Sequence, residues 1–148
     1  MSMFKVFDIS GSAISAQSQR LNTVASNLAN ADTVAGPDGK AYKAHEVVFQ
    51  TVMMDANGAA ARGDADNPLI SSAGVRVSNV VEDQTPGRRV FDPSHPQADG
   101  QGYVTYSNVN PVEEMVNMIS SSRSYQNNVE VMNTAKSLML KTIQMGQG

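Results

Sequence analysis

Between Met3 and Ala31 the apolar positions return every seven residues. Phe7, Ile14, Leu21 and Leu28 form one column, and Met3, Val24 and Ala31 lie on the column beside it. A repeat of this kind places side chains along one stripe of a helix, the pattern of a coiled-coil seam. Ser10 and Gln17 interrupt the second column and Gly11 sits inside the run, so the first half should be the weaker helix.

The other end of the chain carries a stronger pattern. NVNPVEE offers Asn110 as N-cap, Pro111 at the first helical position and Glu113 three residues after the cap, a capping box with a pre-set dihedral. From there Met115, Met118, Tyr125, Val129, Met132, Met139 and Ile143 recur at spacings of three and four to about Met145, with Ser122 and Lys136 breaking the column. Val131, Ala135 and Leu138 add a second stripe beside the first, so the last turns have more than one face to cover. At 1.5 Å per residue the two helices would be roughly 40 and 50 Å long.

From residue 34 to 109 the texture changes to Gly, Pro, Asn and Asp between short β-prone runs. EVVFQTVMM, AGVRVSNVVED, RRVFD and GYVTYS read as strands, the first of them able to begin helical. Pro37-Asp38-Gly39, Asn57-Gly58, Pro86-Gly87 and Asp92-Pro93 mark turns between them. Residues 56–72 show no periodicity and are expected to form a mobile loop. The pattern predicts an α+β fold. A discontinuous helical domain takes residues 1–33 and 110–148, its long terminal helices pairing like a coiled coil, and residues 34–109 form a small β-rich middle domain.

Composition narrows the function. The 148 residues carry a net charge of −3 and no basic cluster beyond Arg88-Arg89, which argues against a nucleic-acid surface. Cysteine is absent, removing disulfides, thiolate catalysis and Cys-ligated metal. No apolar run approaches the roughly 20 residues of a membrane span, and the N-terminus lacks the apolar stretch of a cleaved secretory signal. Two histidines, His45 and His95, without cysteines or an H-E-x-x-H spacing do not make a zinc site. GDADNP starts like a calcium loop at Asp64 and Asp66 but has Leu69 where glycine is required. No cofactor motif is present: Gly100 and Gly102 lack the third glycine of a dinucleotide loop.

Pairing the two helices within one subunit would leave the stripe near Leu138 partly exposed, and many packed copies could cover it. The terminal helices are therefore expected to be poorly ordered in the monomer and to order on assembly. An intramolecular two-helix stalk, stable alone, is the plainer alternative.

The segments ASNLANADT, GKAYKAHEVVFQ, FDPSHPQADGQGYV and VEEMVNMISSSRSYQNNVEVMNTAK together resemble the flagellar basal-body rod proteins of bacteria, over nearly the whole chain. SNLANADT is similar to the N-terminal signature of rod, hook and junction proteins. The longer turn VAGPDGKAY after Thr33 and the DPSHPQAD block look like the proximal-rod members. Arg123, Tyr125 and Asn128 match the C-terminal axial helix. The resemblance implies a structural subunit, not an enzyme, of the periplasm-crossing rod. Its implied partners are copies of itself, other rod subunits and, during secretion without a cleaved signal, the flagellar type III export apparatus. Neither nucleic acid nor membrane insertion is implied.

On this reading the subunit interface is expected to use Ile14, Leu21, Asn27, Leu28, Asn30, Met115, Met118, Arg123, Tyr125, Asn128, Met132 and Met139. Asn27 and Asn30, three apart on one helix face, would bond across packed helices and fix register. Either could instead simply terminate the helix. Arg123 is either a solvated flank or a planar bridge to a neighbour, and Tyr125 a packing residue. Two rival readings stand beside this one. An envelope hydrolase would need Asp92 and His95 to be catalytic, and a soluble adaptor or secreted effector would bind one partner through the C-terminal stripe.

Overall fold

The structure, a computed structural model, describes residues 3–54 and 72–146. Two helices, α1 (Met3–Ala29) and α2 (Pro111–Gly146), flank four strands in sequence: β1 (His45–Met54), β2 (Ser72–Glu82), β3 (Arg89–Phe91) and β4 (Tyr103–Thr105). The class is α+β, with β1 paired to β2 and β3 to β4 in separate two-stranded sheets. The expected loop at 56–72 and the aspartates at 64 and 66 lie outside the described residues, apart from Ser72 at the start of β2.

Local chemistry sets the boundaries. Asn110 caps α2 by accepting the Val112 N–H on Oδ1 at 3.2 Å, while its carbonyl takes the Glu114 N–H at 3.0 Å. Glu113 and Glu114 in the first turn complement the positive end of the helix. EVVFQTVMM is strand throughout, because Val47, Val48, Thr51 and Val52 would lose rotamer freedom against a helical turn and fit a pleated surface better. α1 stops two residues before Ala31. Asn30 donates its Nδ2 to the Ser26 carbonyl at 2.8 Å, and its own N–H goes to the Ser26 and Asn27 carbonyls. No described non-glycine residue has positive φ, so this end closes through a side chain and not a left-handed residue.

The chain falls into two compact units. One takes Met1–Gln19, Phe49–Ser78 and Ser121–Gly148, and the other Arg20–Val48 and Asn79–Ser120. In the first unit, the start of α1 packs beside the second half of α2, with Met132 Cε lying 4.0 Å from where a Cβ on Gly11 would stand. β2 is tied to α1 there by the Val75 N–H, which donates to Ser12 Oγ at 3.2 Å.

The second unit has a small core of Ala31, Ala44 and Val109 against Tyr42, with Val104 fully buried nearby. Side-chain to backbone hydrogen bonds supplement so little apolar volume. Ser107 Oγ donates to the Ala31 carbonyl at 2.6 Å. Asn108 accepts the Ala44 N–H at 2.7 Å and donates to the carbonyls of Asp83 and Thr85. β3 and β4 run antiparallel with Val90 opposite Val104 and Phe91 opposite Tyr103. Gly87 enters this hairpin where a Cβ would sit 2.1 Å from the Tyr106 carbonyl oxygen, a place only glycine fits.

The buried face of the helices is not the large apolar stripe. Phe7, Ile14, Leu21 and Leu28 are half-buried, whereas Ser10, Val24 and Ala31 of the adjoining column are buried. On α2 the buried residues are Ser121 and Ala135, while Met115 and Tyr125 are exposed. Helix spacing is set by the side chains at the contact. Small side chains on the buried face permit a close approach of backbones.

Candidate functional site

Asn27 is a buried polar side chain that joins three elements of this unit. It is 1% exposed, and the amide pairs with both backbone groups of His45: Nδ2 donates to the carbonyl at 2.8 Å and Oδ1 accepts the N–H at 2.9 Å. Tyr42 donates its hydroxyl to the same Oδ1 at 3.1 Å. The Glu114 carboxyl at the start of α2 lies close enough to feel the Asn27 amide, which opposes the rise of its pKa. An amide has two donors and an acceptor oxygen with two lone pairs, so these three hydrogen bonds fill the oxygen and leave one Nδ2 proton on the side of Glu114. The last turns of α1, the first residue of β1 and the first turn of α2 therefore meet on one side chain.

Glu114 bears the strain of this meeting. Burial pushes its carboxyl above the ordinary glutamate value of 4.5, the Asn27 hydrogen bond opposes that, neighbouring Glu113 and Glu46 add to it, and Arg20 opposes it again. Its Oε2 is buried without a hydrogen-bond partner. Arg20 reaches α2 through Asn117, donating Nη2 to Oδ1 at 3.2 Å.

The other expected interface residues divide by environment. In this second unit, Asn30 acts on its own helix, Leu21, Leu28 and Met118 are half-buried, and Met115 is 50% exposed. Met115 lies with Val112, Val116 and Ile119 on a stripe spaced i, i+3, i+4, i+7, all of it exposed. In the first unit, Ile14, Met132 and Met139 are half-buried, Arg123 and Tyr125 exposed, and Asn128 donates Nδ2 to the Ser124 carbonyl one turn back. Val6, Val131, Ala135 and Leu138 line an apolar groove there of about 510 Å³. Single exposed apolar residues are ordinary, but contiguous ones mark contact surfaces.

The loop between β3 and β4 is self-bonded. Asp99 Oδ1 accepts the N–H groups of Gln101 at 2.8 Å and Tyr103 at 2.9 Å, and its Oδ2 pairs with Arg89 Nη2 at 2.8 Å. Those backbone donors, with Arg89, hold its carboxyl below the usual range. Asp92 accepts the hydroxyl and N–H of Ser94, which depresses it likewise, and His95 Nδ1 accepts the Gln97 N–H at 3.1 Å. The two residues an envelope hydrolase would require are thus committed to shaping turns. Phe91 and Tyr103 meet edge to face at 5.2 Å, and Arg89 covers the Tyr103 ring at 4.8 Å.

Sequence reasoning singled out Asn27 but missed its partners. Tyr42 and His45 follow a Gly/Pro turn with no spacing that announces them. Ser121 goes unmarked because a small polar residue leaves no sign on an apolar repeat, whereas Ala135 falls on the second apolar stripe of the C-terminal pattern.

Two family models match this chain: one described as flagella basal body rod protein over residues 7–37, and one described as flagellar basal body rod FlgEFG protein C-terminal over residues 101–145. Flagellar basal-body rod protein FlgC of Yersinia enterocolitica is 54% identical, covering 99% of this chain and 100% of that protein. FlgC of Salmonella typhimurium is 52% identical over the same shares, and that of Bacillus subtilis 34%.

Asn27→Leu should leave the His45 backbone groups unpaired in a buried place and lower stability by about 2–3 kcal/mol, measured as a reduced urea midpoint. For Glu114 the folded chain holds the proton to higher pH than the unfolded chain. This group's contribution to stability therefore falls as pH rises through the window above 4.5. Glu114→Gln, which cannot ionise, should melt higher than the parent at pH 7, with the advantage disappearing as the pH is taken below 4.5. An equal difference at both pH values would show that charge is not the cause.

Proposed function

The chain belongs to the FlgC family of flagellar basal-body rod proteins, and from that premise we propose a mechanical role in which its unpaired apolar faces are covered by neighbouring subunits. The protein is a structural subunit of the bacterial flagellar basal-body rod, located in the basal body with other rod components. The proposal concerns how it performs that role.

The observation that carries it is the exposed stripe Val112, Met115, Val116 and Ile119, with Leu138, Leu140 and Ile143 exposed near the other end of α2. Burying such side chains contributes about 1.5–3 kcal/mol each relative to leaving them exposed. Four at one end of α2 and three near the other would hold a subunit firmly among several neighbours. Ile14, Leu21, Leu28, Met118, Met132 and Met139 flank these contacts. Exposed Arg123 offers its planar fork to a carboxylate or carbonyl of an adjacent copy, and Tyr125 packs beside it. Asn27, Asn30 and Asn128 act indirectly, by setting the shape of the helices that carry the apolar residues.

Turning force would then pass through many interfaces at once across the periplasm. The chain reaches that position through the flagellar type III export apparatus without loss of a signal peptide. It is not an enzyme on this reading. The terminal helices, with exposed apolar side chains along α2, order fully only when neighbours arrive.

Met115→Asp combined with Leu138→Asp changes only exposed positions, where substitutions ordinarily alter stability by less than about 0.5 kcal/mol. The double variant should be exported at the parental level yet leave cells without flagella and unable to swim. Swimming cells would overturn the interface. Circular dichroism of the free chain should show less helix than α1 and α2 together require, with the deficit recovered on co-assembly with other rod subunits. Full helicity in the free chain would dismiss coupled ordering and leave the structural role standing.

A further inference from the structure

The two backbone contacts of Asn27 determine more than its own orientation. The His45 N–H can only donate and the His45 carbonyl can only accept, so the Asn27 amide cannot be flipped: Oδ1 takes the N–H and Nδ2 gives to the carbonyl. The Tyr42 hydroxyl stands 3.1 Å from that oxygen, and its single proton belongs in this contact. The same hydroxyl oxygen lies 3.0 Å from His45 Nδ1. With its proton given to Asn27, Tyr42 can meet Nδ1 only as an acceptor, which requires a proton on Nδ1. Ser26 Oγ, 3.3 Å away, completes the surroundings of the hydroxyl and can serve either role.

The other ring nitrogen looks elsewhere. His45 Nε2 is 3.7 Å from Glu82 Oε1, at the end of β2. Both groups line an open cleft of about 700 Å³, together with Lys40, Lys43 and Gln84. When the ring is neutral and Nδ1 carries its proton, Nε2 presents a lone pair to a carboxylate, and the two acceptors do not bond. A second proton, which can go only to Nε2, turns that meeting into a charge-assisted contact.

We propose that His45 is a one-sided proton-operated clasp. Its Nδ1 side stays bonded to the Tyr42–Asn27 relay in both charge states, and its Nε2 side grips Glu82 only when the ring is protonated. The clasp joins the first residue of β1 to the last of β2, beside the Asp83 N–H that donates to the Ala44 carbonyl at 2.8 Å. Protonation thus tightens the mouth of the cleft without disturbing the junction with α1. The titratable groups against this ring are Glu82 from β2 and Tyr42 from the segment before β1, Lys40 and Lys43 line the same cleft, and Glu114 of α2 lies beyond Asn27. The Lys43 ammonium is itself held by Gln84 Oε1 at 2.5 Å. The inference is independent of the assembly reading, since it concerns the free chain.

The chain supplies its own control. It has two histidines, and His95 Nδ1 accepts the Gln97 N–H, so neutral His95 must carry its proton on Nε2. Long-range proton–nitrogen correlation spectra of the ¹⁵N-labelled full chain, recorded where both rings are neutral, should show a protonated-type nitrogen at Nδ1 of His45 and at Nε2 of His95. His95→Asn assigns the two sets. On acidification the Glu82 carboxyl carbon should shift in step with the His45 ring, and in Tyr42→Phe the neutral His45 should lose its Nδ1–H preference. Circular dichroism of that variant confirms that it folds. If neutral His45 carries its proton on Nε2 in the parent chain, the relay is wrong. If Glu82 does not follow the His45 titration, the clasp is wrong.

Discussion

A side-chain amide standing in for a strand partner is the constraint on which the second unit depends. Asn27 gives the His45 backbone the pair of hydrogen bonds that a neighbouring strand would give, and it does so from a helix. A buried backbone group without such a partner is costly, and the first residue of a strand has one side open. No apolar residue could serve there. Aspartate could accept but not donate, so asparagine is the short side chain that answers both groups at once. The helix is thereby pinned to the sheet at one register, since a shift of one residue along either element separates these hydrogen bonds.

Around that point the fold is held by polar stitching more than by apolar volume. Ser107, Asn108 and Thr33 each bind backbone across turns, and Asp83, Asp92 and Asp99 each gather the N–H groups of their own loop. Such hydrogen bonds contribute only about 1 kcal/mol apiece, but they are directional, and they define a shape that alanine and valine contacts alone would not. The largest apolar side chains are correspondingly free to face outward. Under the proposed apolar contacts, that division of labour is coherent for a rod subunit: polar groups specify the monomer, and apolar groups would remain for association.

The helical pairing follows the same division. Serine and alanine are among the buried residues of the two helices, and the described methionines and leucines are half-buried or exposed. Methionine is well suited to a margin that meets neighbours at differing angles, because its unbranched chain adapts to irregular surfaces.

How much of this could be read from the chain depends on the range of the interaction concerned. Helix and strand positions follow from neighbouring residues: the Asn110-Pro111 cap, the Asn30 end and the β-branched run in β1 are local matters, and periodicity with turn chemistry locates them. The α+β class follows from their order. The apolar columns include the buried Val24, Ala31 and Ala135, but buried Ser10 reads in the sequence as an interruption and Ser121 carries no periodic mark, since apolar patterning does not register small polar residues at a close contact. Asn27 stood out as an amide where a helix ended. Its partners, His45 and Tyr42, are 18 and 15 residues away, and Glu114 lies further still along the chain. Only the closed tertiary structure brings those groups within hydrogen-bond reach, because the directions of a helix end, a strand start and a second helix are fixed jointly and by no one segment.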